Sequence, residues 1–175
     1  MHKILLLLTI LFPLTGCVTT DSSTFVPTPN HAIRMAMGDD PIEWKIDHLD
    51  RNPTGFIAEF VPEGQTIQAW EEMVAQQITF TDTSLSEHLA EWEKMVRAGD
   101  PDVMISQETS DSSSITISYD SKKFNEYSLR KFTKGSDGIY AFAYHVRMNR
   151  IDPKRVDLWT KIIADSDLIR NPERR

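Results

Sequence analysis

The feature that most constrains this chain is an unbroken alternation toward its C-terminal end. Tyr140, Phe142, Tyr144, Val146 and Met148 hold one set of alternate positions, and Ala141, Ala143, His145 and Arg147 hold the other. Period two marks a strand whose two faces meet different surroundings. The preceding Gly135-Ser136-Asp137-Gly138 is a hairpin signal, which supplies this strand with an antiparallel neighbour. Alanines on one face leave room for a helix to come close. A chain organised around this unit folds as an antiparallel sheet packed with helices.

The remaining pattern extends that reading. Ile42, Trp44, Ile46 and His48 alternate with Glu43, Lys45 and Asp47, and Phe56, Ala58 and Phe60 follow Pro53-Thr54-Gly55, so these segments form a hairpin. Thr66 is placed to start a helix carrying Ile67, Trp70, Met73, Val74 and Ile78. Ser84 with Glu87 fits a capping box for a second helix with Leu85, Leu89, Trp92, Met95 and Val96 on one side, ended by Gly99 and Asp100-Pro101. Val103 and Ile105, then Ile115, Ile117 and Tyr119, then Tyr127 to Thr133 read as three strands, with Ser110 to Ser114 and Lys122-Lys123 at turns. Asp152-Pro153 opens a closing helix bearing Val156, Trp159, Ile162 and Ile163. Two strands, two helices, an antiparallel meander and a helix make an α+β domain over residues 41–170. Asn171 to Arg175 is a polar tail expected to fray.

Residues 1–16 do not belong to such a domain. Met1-His2-Lys3 gives a positive start, and Ile4 to Phe12 is apolar except for Thr9. That run is too short to cross a bilayer as a permanent helix and has the shape of an export signal. Leu14-Thr15-Gly16-Cys17 resembles the lipobox of bacterial lipoproteins. The resemblance implies lipid attachment at Cys17, cleavage between Gly16 and Cys17, and anchoring of the chain in the cell envelope. Cys17 is the single cysteine, so no internal disulfide can form, and an acylated thiol accounts for the odd count. Val18 follows where lipoproteins held at the inner membrane often carry Asp. The resemblance therefore favours the periplasmic face of the outer membrane if the source has two membranes. From Cys17 to Asp40 the composition turns to Thr, Ser, Pro, Asn and Asp, which reads as a flexible tether.

Glu59-Phe60-Val61-Pro62-Glu63-Gly64-Gln65-Thr66, followed by Trp70-Glu71-Glu72-Met73-Val74, resembles a group of small exported bacterial proteins of unknown function. With Ile139-Tyr140 on a late strand and a closing helix, the element order is also similar to the α/β/α sandwich of the photosystem II extrinsic protein PsbP and its relatives. That second resemblance implies a fold and a binding or assembly role, and no activity.

No catalytic, cofactor-binding or metal-ligating constellation stands out. His88 with Glu91 could supply two metal ligands on one helix face, but no third ligand follows at a fitting spacing. His145 would need a nucleophile and an orienting carboxylate, and there is neither a Gly-x-Ser-x-Gly elbow nor a phosphate-binding loop. Charge is more telling. Without Lys3, 18 basic residues face 26 acidic ones, which speaks against a nucleic-acid binder. Between Cys17 and Asp120 there are 5 basic and 19 acidic residues, and between Ser121 and Arg175 there are 13 and 7. Either the two segments pair inside the domain, or Lys122, Lys123, Arg130, Lys131, Arg147, Arg150, Lys154 and Arg155 form a contact patch for anionic lipid or an envelope protein. The expected function is that of a lipid-anchored, non-enzymatic binding or assembly domain. The alternative is a small periplasmic enzyme or ligand-binding domain with a pocket between sheet and helices.

Overall fold

A computed structural model describes residues 28–35 and 40–171. The signal segment 1–16, Gly16, Cys17, most of the expected tether and residues 172–175 lie outside the described residues. The domain is α+β, dominated by antiparallel strands. In chain order it comprises β1 (His31–Arg34), β2 (Trp44–Asn52), β3 (Gly55–Pro62), β4 (Glu72–Thr79), α1 (Leu85–Gly99), β5 (Met104–Ser110), β6 (Ser114–Ser121), β7 (Glu126–Lys134), β8 (Ile139–Arg147), α2 (Pro153–Ala164) and β9 (Asp167–Arg170). Seven strands form one sheet in the order β2-β3-β4-β8-β7-β6-β5, and β1 pairs with β9 in a separate two-stranded ribbon.

The alternation in β8 becomes a division between two cores. Ile139 and Ala141 pack with Leu89, Trp92 and Val96 of α1, together with Phe132, Ile115 and Ile117. Phe142, Tyr144 and Val146 pack with Trp159, Ile162 and Ile163 of α2. The two helices therefore lie on opposite faces of the sheet. Both begin as the sequence predicts. The Ser84 side chain accepts from the Glu87 N–H while Glu87 reaches back to Ser84, and Asp152 accepts from the Lys154 N–H with Pro153 in the first turn. At the hairpin the Gly135 N–H donates to the Gly138 carbonyl at 2.8 Å. A Cβ on Gly138 would meet the Thr79 carbonyl oxygen at 2.2 Å, which is why the residue beginning β8 is preceded by glycine.

The helix expected from Thr66 does not form. Residues 64–71 make turns, and Met73, Val74 and Ile78 belong to β4. Because β4 lies between β3 and β8 with both faces covered, Met73, Val74, Ala75 and Ile78 are all buried. A strand buried on both faces has apolar residues without strict alternation, and this one imitates helical spacing. The backbone groups that a helix would have used are taken elsewhere. The Ile67 N–H donates to Asp47 Oδ2 at 2.8 Å, and the Glu71 N–H donates to Gln65 Oε1 at 2.7 Å.

The domain also begins and ends differently from the expected span of 41–170. Part of the expected tether is docked: His31–Arg34 pair with β9, and Asp40 holds Arg155. Asn171, expected to fray, is buried and donates from Nδ2 to the Pro29 carbonyl at 2.9 Å. Met148, placed on β8 by the alternation, falls in a 3-10 turn, Met148–Arg150. No helix among the described residues is long and apolar enough to cross a membrane.

Candidate functional site

Hairpin register brings a histidine and a carboxylate together. In the β7–β8 pair Ser128 lies opposite His145, and Glu126 lies opposite Arg147. Glu126 and His145 are therefore diagonal neighbours on one face, and His145 Nδ1 lies 2.8 Å from Glu126 Oε1. The same carboxylate oxygen accepts from the hydroxyl of Tyr119 on β6. Burial pushes Glu126 up, but its bond to His145, the charge of that ring and the Tyr119 hydroxyl outweigh burial and hold it below its ordinary value. Burial, followed by the Glu126 charge, pushes the Tyr119 phenol well above its ordinary value, so it remains a donor. An ionised Glu126 accepts only, so Nδ1 carries the proton it shares with Glu126.

That leaves His145 Nε2, a buried atom with no hydrogen-bond partner. His145 is 4% exposed. Trp70 meets its ring edge-on at a centroid distance of 6.4 Å, and the Arg147 guanidinium lies 3.9 Å above the Trp70 ring. Arg147 also donates to the Trp70 and Phe124 carbonyls, which fixes the 64–71 segment over the histidine. A carboxylate-oriented histidine is the first half of a general base. The second half, an accessible nucleophile, is not found beside it among the described residues: Ser128, directly opposite on β7, is fully buried.

The acidity of Glu126 gives the cluster a measurable signature. Its folded value lies below the ordinary 4.5, so its contribution is complete above that value and is lost as pH falls through the lower folded one. Glu126→Gln should therefore lower stability at pH 7 and flatten the loss of stability on acidification below pH 4.5, as followed by urea unfolding at a series of pH values. An acid limb as steep as in the unmodified chain would show that Glu126 is not the titrating group. Glu59, on the same sheet face, moves the other way. Desolvation pushes it up despite the nearby charges of His48, His145 and Arg130.

The eight basic residues singled out by sequence do not share one surface. Arg130 and Lys131 are consecutive on β7 and point to opposite faces. Arg130 lies 5.4 Å from the Trp92 ring under α1, whereas Lys131 donates to the Ala164 and Ser166 carbonyls at the end of α2. Lys123 donates to the Gly99 carbonyl, Arg150 pairs with Glu71 at 2.7 Å, and Arg155 bridges Asp40 and Glu72. Lys122 and Lys154 are exposed. Six of the eight thus hold other parts of the fold, the internal-pairing half of the sequence argument.

His88 packs its ring against Phe132 at 5.7 Å, and burial, then Arg130 and Lys134, push its pKa down. Glu91 is exposed and reaches Lys94 at 3.5 Å. Among the described residues no three His, Cys, Asp or Glu side chains converge as a metal site. A hollow beside Ile33, Tyr140, Phe142 and Leu168 encloses about 10 Å³, room for one water. An open cleft of about 320 Å³ is lined by Asn30, His31, Ser136 and Arg170, far along the sheet from His145.

Sequence reasoning passed over Glu126, although a signal was present. With Gly135 opposite Gly138, counting equally outward on both strands puts Ser128 against His145 and Glu126 one diagonal away. Comparison with known protein families, curated proteins and solved structures returned no match.

Proposed function

We propose that this is a lipid-anchored envelope protein whose α+β domain is a non-enzymatic binding or assembly accessory. Leu14-Thr15-Gly16-Cys17 carries the reading, because that tetrapeptide after a short apolar run supports acylation of Cys17 and retention at a membrane. The domain is in keeping with the non-enzymatic half, since His145, held by Glu126, is buried beneath Trp70 and the serine opposite it is buried too. Internal use of Arg130, Lys131, Arg147, Arg150 and Arg155 favours a protein partner over an anionic lipid surface. Helices on both faces of an antiparallel sheet are consistent with a PsbP-like sandwich, whose relatives serve mostly as accessories. In a cell with two membranes, Val18 favours the periplasmic face of the outer membrane.

The test is metabolic labelling with a fatty acid. Label should appear on the full chain, and Cys17→Ser should abolish both labelling and membrane retention. A Cys17→Ser chain that still fractionates with membranes sinks the reading.

One observation favours a second reading, an enzyme or ligand-binding domain. His145 Nε2 is buried without a hydrogen-bond partner, a polar atom that a substrate or ligand would meet once Trp70 moves aside. His145→Ala would then abolish the cellular activity, and a chain that keeps its activity without His145 removes this alternative.

A further inference from the structure

The outer edge of β2 is unpaired among the described residues, and β2 carries the two most exposed large apolar residues of the main sheet apart from Met104, namely Ile46 at 56% and Leu49 at 54%. An edge strand left in this state is a template for another strand. Its own sequence indicates which one. Trp44, Ile46, Leu49 and Arg51 lie opposite Pro62, Phe60, Ala58 and Phe56 of β3 and share one face; Lys45, His48, Asp50 and Asn52 lie opposite Val61, Glu59, Ile57 and Gly55 and share the other. Between Ile46 and His48 the register shifts, with Asp47 as the extra residue. The Asp47 side chain goes to the His48 side, where it accepts from the Ile67 N–H and approaches Lys45 at 4.0 Å.

That bulge restricts how β2 can pair with a second copy of itself. Residues directly opposite in an antiparallel pair share a face. The shift of one residue reverses the alternation beyond Asp47, so among registers that carry the pairing through Asp47 every one but one sets residues of opposite faces against each other somewhere along the strand. The register that remains places Trp44 opposite Arg51, Lys45 opposite Asp50, Ile46 opposite Leu49 and Asp47 opposite His48, and the two-fold axis repeats each pair. Every charged residue then faces an opposite charge, a histidine or an aromatic ring. The two exposed aliphatic residues cover one another. A bulge and edge charges ordinarily discourage indiscriminate pairing, and here the same features leave a single complementary one.

We propose that the chain forms a two-fold symmetric dimer through β2 in this register, making one continuous fourteen-stranded sheet from the two seven-stranded ones. The occupant of the edge is a second copy of the chain. The proposal is independent of lipidation.

Thiol crosslinking of the full chain in its own membranes tests it. In a chain carrying both Ile46→Cys and Leu49→Cys, the new thiols of two copies lie opposite one another, with Cβ atoms about 5 Å apart, and mild oxidation should give a band at twice the chain mass. Met104→Cys on the far edge of the sheet should not, and the unmodified chain reports any contribution of Cys17. Adding Asp50→Lys sets like charges opposite each other twice and should reduce the crosslinked yield about tenfold. Adding Lys45→Asp to that chain reverses both charges and should restore the yield, which separates pairing from misfolding. The proposal is overturned if the 46/49 chain gives no dimer, if its band has another protein's mass, or if Asp50→Lys leaves the yield unchanged.

Discussion

Trp159→Ala should reduce the unfolding free energy by about 3–5 kcal/mol, measured by urea unfolding with circular dichroism. Trp159 is completely buried and stacks on Tyr144 at 4.8 Å with the rings 5° from parallel. Trp44 and Phe142 meet it at 5.6 Å and 6.1 Å. One side chain on α2 therefore joins β8 and the start of β2, and its removal leaves a cavity that three rigid rings cannot collapse to fill. A second variant separates packing from the indole N–H. Trp159 Nε1 is buried and has no hydrogen-bond partner. Trp159→Phe loses volume but also removes an unsatisfied donor, so it should cost less than about 2 kcal/mol. Equal losses for Ala and Phe would mean that the stacked contact with Tyr144 is not what holds α2 to the sheet.

The same residue illustrates what could be read from sequence. Trp159, Ile162 and Ile163 follow a Pro-started helix with the correct spacing, and β8 alternates cleanly. Both are local patterns, and the domain is built on them. The failures are non-local. β1 and β9 are four residues each and exist only because they pair across more than 130 positions of sequence, which no short window can see. At 66–78 the cause is different. The apolar residues of β4 satisfy a helical template, and burial of Met73 under Ile67 and Trp70 on one side and of Val74 under α2 on the other removes the polar alternation that would have identified a strand. Turning one expected helix into a central strand also changes the sheet. Two antiparallel runs, β2-β3-β4 and β5 to β8, are joined side by side through the β4–β8 pair, with α1 as the connection between them.

For the candidate site, legibility followed the same division. His145 stands out in the sequence as a polar residue on an alanine-rich face, but its carboxylate, Glu126, is a neighbour in strand register and belongs to no sequence motif. Of the basic residues, sequence showed the charge excess and left open whether it was spent inside. Lys131 and Lys123 end on backbone carbonyls, and a carbonyl acceptor leaves no trace in a charge count.

Arg155→Ala should cost about 3–5 kcal/mol, with little dependence on salt. Arg155 donates to Asp40 Oδ1 at 2.7 Å and to Glu72 Oε2 at 2.6 Å. Burial alone would lower its pKa, but the bonds to Asp40 and Glu72 outweigh burial and raise it, so the guanidinium is charged at every accessible pH. The Asp40 side chain is 1% exposed and also accepts from the Ile42 N–H and Trp44 Nε1, while Glu72 takes the Tyr144 hydroxyl at 2.9 Å. Removing the cation strands two carboxylates against the Tyr144–Trp159 stack, and water cannot reach Asp40 to compensate. The Arg150–Glu71 pair offers the contrast within the same chain. Its distance is also 2.7 Å, but its side chains are 57% and 50% exposed, so Arg150→Ala should cost less than about 1 kcal/mol and lose even that at high salt. Distance is equal in the two pairs and burial is not, so urea unfolding of both variants at low and high salt decides whether burial sets the cost. Equal losses would mean that Asp40 and Glu72 find other partners once Arg155 is gone, and that the segment entering β2 is not held by this cluster.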